Sequence, residues 1–241
     1  MLIQNYFKKY LFLFCIFIST SSIAENKLHY VGIAGYDHYV FDHEIREVKN
    51  ILYRNYKLDD LIHLLSNYDN YIDAEKFDLL FETLRTKIPK NDVVLFYITS
   101  HGIKEGAVAF QKNENLYAKI FPRDLKKYID SAQLKNVILI ISTCYSGSFK
   151  KIANNNILVI TASNSDKTSY GCKPDNDWTF FGRAFFVESL SKNKNFIKAF
   201  ESARKIIKKW ETEGELIPSE PQISGGKSVI KMLNNINKQE N

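Results

Sequence analysis

The sequence predicts an α/β protein, a mostly parallel sheet with helices on both faces. Val93–Ile98, Val137–Ile141 and Ile157–Ala162 are short runs apolar at nearly every position, as strands covered on both sides must be. Between and after these runs, apolar residues recur at helical spacing. Strands that alternate with helices pair in parallel through crossover connections. No internal repeat, low-complexity tract or linker divides the chain.

The first residues set Lys8 and Lys9 before an apolar run, Leu11 to Ile18, and close on small residues at Ser22 and Ala24. That pattern predicts a signal peptide, residues 1–24, and a secreted or periplasmic product. The run is too short for a membrane helix, and Cys15 lacks the small neighbours of a lipoprotein cleavage site, so no membrane anchor is expected. Removing those 24 of 241 residues leaves 217, the size of one domain over 25–241.

Leu28–Ala34 reads as a buried strand that stops at Gly35, and Ile45, Val48, Ile51 and Leu52 mark the helix after it. Leu61–Leu65 is another short apolar run. Phe77, Leu80, Phe81, Leu84 and Ile88 form a second helical stripe, ended by Pro89 and the turn residues Asn91 and Asp92. A strand, Val93–Ile98, then runs into Ser100, His101 and Gly102. A hairpin is expected around Gly106 to Ala118, and Pro122 opens a helix to about Ser131. The strand Val137–Ile141 runs into Thr143, Cys144, Tyr145, Ser146 and Gly147. After Ile157–Ala162 the chain reads as helical, with Phe185, Phe186 and Leu190 in one helix and Phe196 to Trp210 in a longer one.

The net charge of +6 falls to +4 without Lys8 and Lys9, and the remaining lysines are scattered among acids. A nucleic-acid partner calls for a clustered basic patch, so none is expected. Neither a CxxC pair nor an HExxH helix is present, so no metal or other cofactor is expected. Gly225, Gly226, Lys227 and Ser228 mimic the end of a phosphate loop, but Pro221 stands where its first glycine belongs, and no strand is expected before it. Pro218 to Gln222 reads as a turn-rich loop.

In a parallel sheet the loops leaving the carboxyl ends of the strands gather on one rim, where reactive groups sit. His101 and Cys144 each follow such a strand. Singly, the first reads as a loop histidine and the second as a buried small hydrophobe. Together they suit a thiol nucleophile and an imidazole base. Cysteine attacks as thiolate, and an imidazole can take its proton and return it to a leaving amine. The amides of Gly102 and Cys144 are the candidate oxyanion donors. After the signal peptide only Cys144 and Cys172 remain, and one bridge between them is the alternative reading of both.

These residues resemble the legumains, or asparaginyl endopeptidases, of the caspase-like cysteine peptidases, with the look of a bacterial member. The resemblance rests on VVLFYITSHG, on VILIISTCYSGSF, and on ITASNSDKTSYGC followed by WTFFGR, in that order. It implies a caspase-like three-layer sandwich and a peptide or protein substrate. It also implies His101 as base, Cys144 as nucleophile, Thr168, Ser169 and Tyr170 along the substrate groove, and Cys172 as a free thiol. Members often begin as inactive precursors, but this chain ends soon after the domain, so no separate regulatory domain is expected.

The family's specificity pocket uses an Arg-His pair after the first strand, an acid two residues before the nucleophile and an acid after the late glycine. Here those places hold Asp42 and His43, then Ser142, then Arg183. Asp42 and Arg183 read as a swapped ion pair. Alternatively, Arg183 faces the substrate and favours an acidic side chain, or it merely solvates a helix start. Cleavage after Asn or after acidic residues is therefore expected. Acyl transfer to an amine and a non-catalytic exported binding protein are the other readings.

Overall fold

A computed structural model describes residues 26–56, 58–65, 71–111, 117–173 and 175–238; the predicted signal peptide lies outside them. Six strands form the central sheet. They are β1 (Leu28–Ala34), β2 (Leu58–Leu65), β3 (Val93–Thr99), β7 (Asn136–Ser142), β8 (Ile157–Thr161) and β9 (Gln222–Gly225), in the order β2-β1-β3-β7-β8-β9. All neighbours pair in parallel except β9, which runs antiparallel to β8. The expected hairpin is a separate three-stranded antiparallel sheet, β4 (Gly102–Ile103), β5 (Ala107–Gln111) and β6 (Tyr117–Ile120).

Alternation along the strands sorts the core into two layers. On one face Tyr30, Leu95, Tyr97, Ile138, Ile140, Leu158 and Ile160 pack against α1 (Tyr39–Asn55), α5 (Phe196–Glu213), α6 (Lys227–Lys238) and the helical stretch from Phe180 to Leu190. On the other, Val31, Ile33, Val94, Phe96, Ile98, Val137, Leu139 and Ile141 meet α2 (Ala74–Lys87), α3 (Pro122–Ser131) and Phe110 of β5. Each fully buried large side chain of this kind contributes about 1.5–3 kcal/mol. Asp73 caps α2 by accepting from the Lys76 amide at 3.0 Å, and Asn195 caps α5 by accepting from Lys198 at 3.1 Å.

Several elements differ from expectation. β2 starts three residues before Leu61, because Leu58 already pairs with Leu28 of β1, with a shift of register before Leu61. The helix through Phe185, Phe186 and Leu190 begins at Phe180 as α4 (Phe180–Gly182) and widens into a π-helix over Arg183–Leu190. A 3-10 helix, Ser146–Ile152, follows the Cys144 turn. A strand does precede the phosphate-loop mimic: β9 leads into Gly226 and α6, so this turn joins an edge strand to a packing helix.

Parallel register levels the carboxyl rim. Ala34 pairs with Thr99 and Thr99 with Ser142, while Ile141 pairs with Thr161. The loops after β1, β3, β7 and β8 therefore leave the sheet side by side.

Candidate active site

His101 and Cys144 stand two residues beyond the paired Thr99 and Ser142, at one rim of the sheet. Their loops interlock. A Cβ added to Gly102 would lie 1.9 Å from the Cys144 carbonyl oxygen and 2.8 Å from its carbon, so only glycine lets the two backbones approach this closely. Gly102→Ala must push the Cys144 loop outward. We predict at least a hundredfold loss of kcat/KM with a smaller change in melting temperature, read by kinetics and calorimetry.

The turn carrying Cys144 is fixed from several sides. Tyr145 adopts a left-handed backbone, φ 58°, and its amide donates to the Lys167 carbonyl at 2.8 Å. The Ser163 hydroxyl donates to the Thr143 carbonyl and accepts from the Ser146 amide, each at 3.2 Å. Among the described residues the Cys144 amide has no hydrogen-bond acceptor, which leaves that donor available to an oxyanion.

The sulfur itself is turned toward Ser169. The Ser169 amide donates to Sγ at 3.3 Å, and the Ser169 carbonyl and hydroxyl oxygens lie 3.7 and 3.8 Å away. No hydrogen bond joins Sγ to the His101 imidazole. Cys144 and Cys172 are both free and half-buried. Burial, and then the neighbouring Cys144, push the Cys172 thiol up from its usual range.

Three rings surround His101. Tyr36, His38 and Phe41 stand nearly perpendicular to its imidazole at centroid distances of 4.7, 5.2 and 5.4 Å. Burial, and then the charge on His38, lower the His101 pKa to about 4. The imidazole is thus neutral near pH 7 and able to accept a proton.

Thr168 is exposed, while Ser169 and Tyr170 are half-buried on a stretch outside any ladder. The Tyr170 carbonyl accepts from the Phe180 amide at 2.9 Å, and its hydroxyl donates to the Ile217 carbonyl at 2.8 Å. The loop before Pro218 therefore borders this stretch.

The expected Asp42–Arg183 pair is not formed. Asp42 sits one helical turn from Arg46 and pairs with it at 2.8 Å, the local contact that (i, i+4) spacing favours. Arg183 reaches Glu188 at 3.6 Å and lies 5.5 Å over the Trp210 ring. Arg183, Trp178, Thr179 and Phe180 line a cavity of about 690 Å³. His43 donates through Nδ1 to the Asp177 carbonyl at 2.8 Å and meets Trp178 edge to face.

Sequence reasoning missed Glu44. Its carboxylate is fully buried and accepts from Tyr97 Oη, Thr99 Oγ1, Thr179 Oγ1 and the Thr179 amide at 2.6–2.7 Å. The Thr179 hydroxyl, its proton given to Glu44, accepts from Gly182 N at 2.9 Å and lies 3.1 Å from Ser142 Oγ, which must then be the donor. Glu44 thus brings a carboxylate beneath Ser142 from α1. A side chain on Gly182 would collide with it, its Cβ 2.1 Å from Oε1. The signal was present, a charged residue on the inward stripe of Phe41, Ile45 and Val48.

Among the described residues no group of three or more His, Cys, Asp or Glu could hold a metal ion, and no helix is long and apolar enough to cross a membrane.

The profile of the Peptidase C13 family matches residues 66–223. Over 84 residues the chain is 36% identical to the vacuolar-processing enzyme beta-isozyme of Arabidopsis thaliana, a stretch amounting to 34% of this chain and 17% of that protein. The chain thus aligns with only a small part of that relative's length. Caspase-1 from Spodoptera frugiperda superposes with a TM-score of 0.60 at 11% identity, covering 83% of this chain and 87% of that one. The expected caspase-like α/β architecture is therefore present. The family match begins after α1, so it does not include Asp42, His43 or Glu44.

Proposed function

Because the chain belongs to the Peptidase C13 family, a family of cysteine peptidases, we propose that it is an exported endopeptidase working through His101 and Cys144. The observation that carries this reading is the level rim of β3 and β7, with Gly102 against the Cys144 carbonyl. His101 takes the thiol proton as Sγ attacks the scissile carbonyl, and the amides of Gly102 and Cys144 receive the oxyanion. The C–N bond breaks as the imidazolium gives its proton to the leaving amine, leaving a thioester on Cys144. Water, losing a proton to His101, then attacks the thioester and releases the acid. The Ser169 amide offers a donor to charge developing on the sulfur. Thr168, Ser169 and Tyr170 pair with the substrate backbone as an added strand.

Before the cut we propose asparagine ahead of acidic residues. Arg183 is already engaged by Glu188 and Trp210, and Asp42 by Arg46. An incoming carboxylate would have to displace Glu188, whereas an amide needs no spare charge. Lys8 and Lys9 before the apolar run support export.

Incubation of the purified chain with a mixed peptide library, with and without an amine acceptor, tests this reading by mass spectrometry. Cuts after asparagine are expected. Products joined to the amine would make the chain a ligase using the same thioester, and an uncut library would leave a binding protein.

A further inference from the structure

His38 is the N-cap of α1, yet its side chain makes no capping hydrogen bond, although the residues favoured there cap through the side chain. The imidazole instead stacks on Phe41 at 5.6 Å and 12°, with its edge or face 5.2 Å from His101 at 85°. Its Nδ1 is buried and has no partner among the described residues. A buried ring nitrogen without a partner is costly, and nothing in α1 uses it.

Two kinds of contact reach His101 from this side. Tyr36 and Phe41 confine the imidazole sterically, while His38 is the one ring of the three that becomes positive on protonation. The other titratable groups nearby are Tyr117 of β6, which acts on Tyr36, Cys144 across the interlocked loops, and the exposed Asp37 in the same loop.

We propose that His38 is a positioning residue for the base: it clamps the imidazole of His101 and, when charged, repels a second proton from it. The base then remains neutral, and the thiol proton retains an acceptor, in acid where a solvated histidine would already be charged. This rests on the dyad reading above, though the coupling between the two imidazoles can be measured without turnover.

The test is an NMR titration of the His101 ring proton in the full chain carrying Cys144→Ala, with and without His38→Gln. The native midpoint is expected near 4. In His38→Gln it should rise by about 0.5–1 pH unit, and His38→Phe, which keeps the stack on Phe41, should move it the same way. In the chain with Cys144 intact, the acid limb of kcat/KM should follow, with KM unchanged. An unmoved midpoint in both variants overturns the proposal, as does an activity loss equal at every pH. A shifted midpoint in a chain that cuts no peptide upholds the coupling and removes the peptidase reading instead.

Discussion

Cys144→Ala is expected to lower peptide hydrolysis by roughly four orders of magnitude or more, because the proposed acyl-enzyme route vanishes with the sulfur. The half-buried thiol makes only long contacts to Ser169, at 3.3–3.8 Å. Its removal should therefore change stability by less than about 1 kcal/mol. Tyr145, Ser146 and Ser163 keep the turn in place through backbone contacts that alanine does not touch. Stopped turnover with an unchanged melting curve assigns the loss to chemistry. Undiminished turnover would remove Cys144 from the reaction.

Glu44→Ala should be the most damaging single change for stability away from the apolar core, at about 3–5 kcal/mol. It strands two hydroxyls, a phenol and an amide in a site without exposure. Thermal unfolding would then shift down by roughly 6–20 °C for a domain of this size. Glu44→Gln keeps one acceptor oxygen and should recover part of the loss. Burial, opposed by these hydrogen bonds, holds the carboxyl above its ordinary range. A raised folded-state value means that its contribution is full below the unfolded value and fades as pH rises through the folded one. The gap between native protein and Glu44→Gln should consequently narrow toward alkaline pH. A gap that widens would contradict the assignment.

The sheet was legible because β1, β3, β7 and β8 are buried along their whole length, which leaves runs such as Val93–Ile98 with no polar interruption. The residues ending β3 and β7 were legible for the same reason, since the polar segments begin where the sheet stops. β9 was not, because Gln222–Gly225 is a half-exposed edge of mixed polarity held by one neighbour. Glu44 was hidden by a rule that works almost everywhere, that a charge in a helix faces water. The swapped pair of Arg183 with Asp42 did not form, because Glu188, five residues on, is reached within the π-helix and Asp42 has Arg46 one turn away. Nothing in spacing alone announces that His38 meets His101, because the contact joins a helix start to a neighbouring strand's end.

The level rim sets which changes of length the protein can absorb. Successive side chains on a strand alternate between faces, so one residue inserted into β3 or β7 would turn His101 or Cys144 from one layer toward the other. Lengthening the hairpin between Gln111 and Tyr117 shifts no such phase. Variation among descendants of this chain should therefore collect in that hairpin, while the number of residues from Val93 to His101 and from Asn136 to Cys144 stays constant.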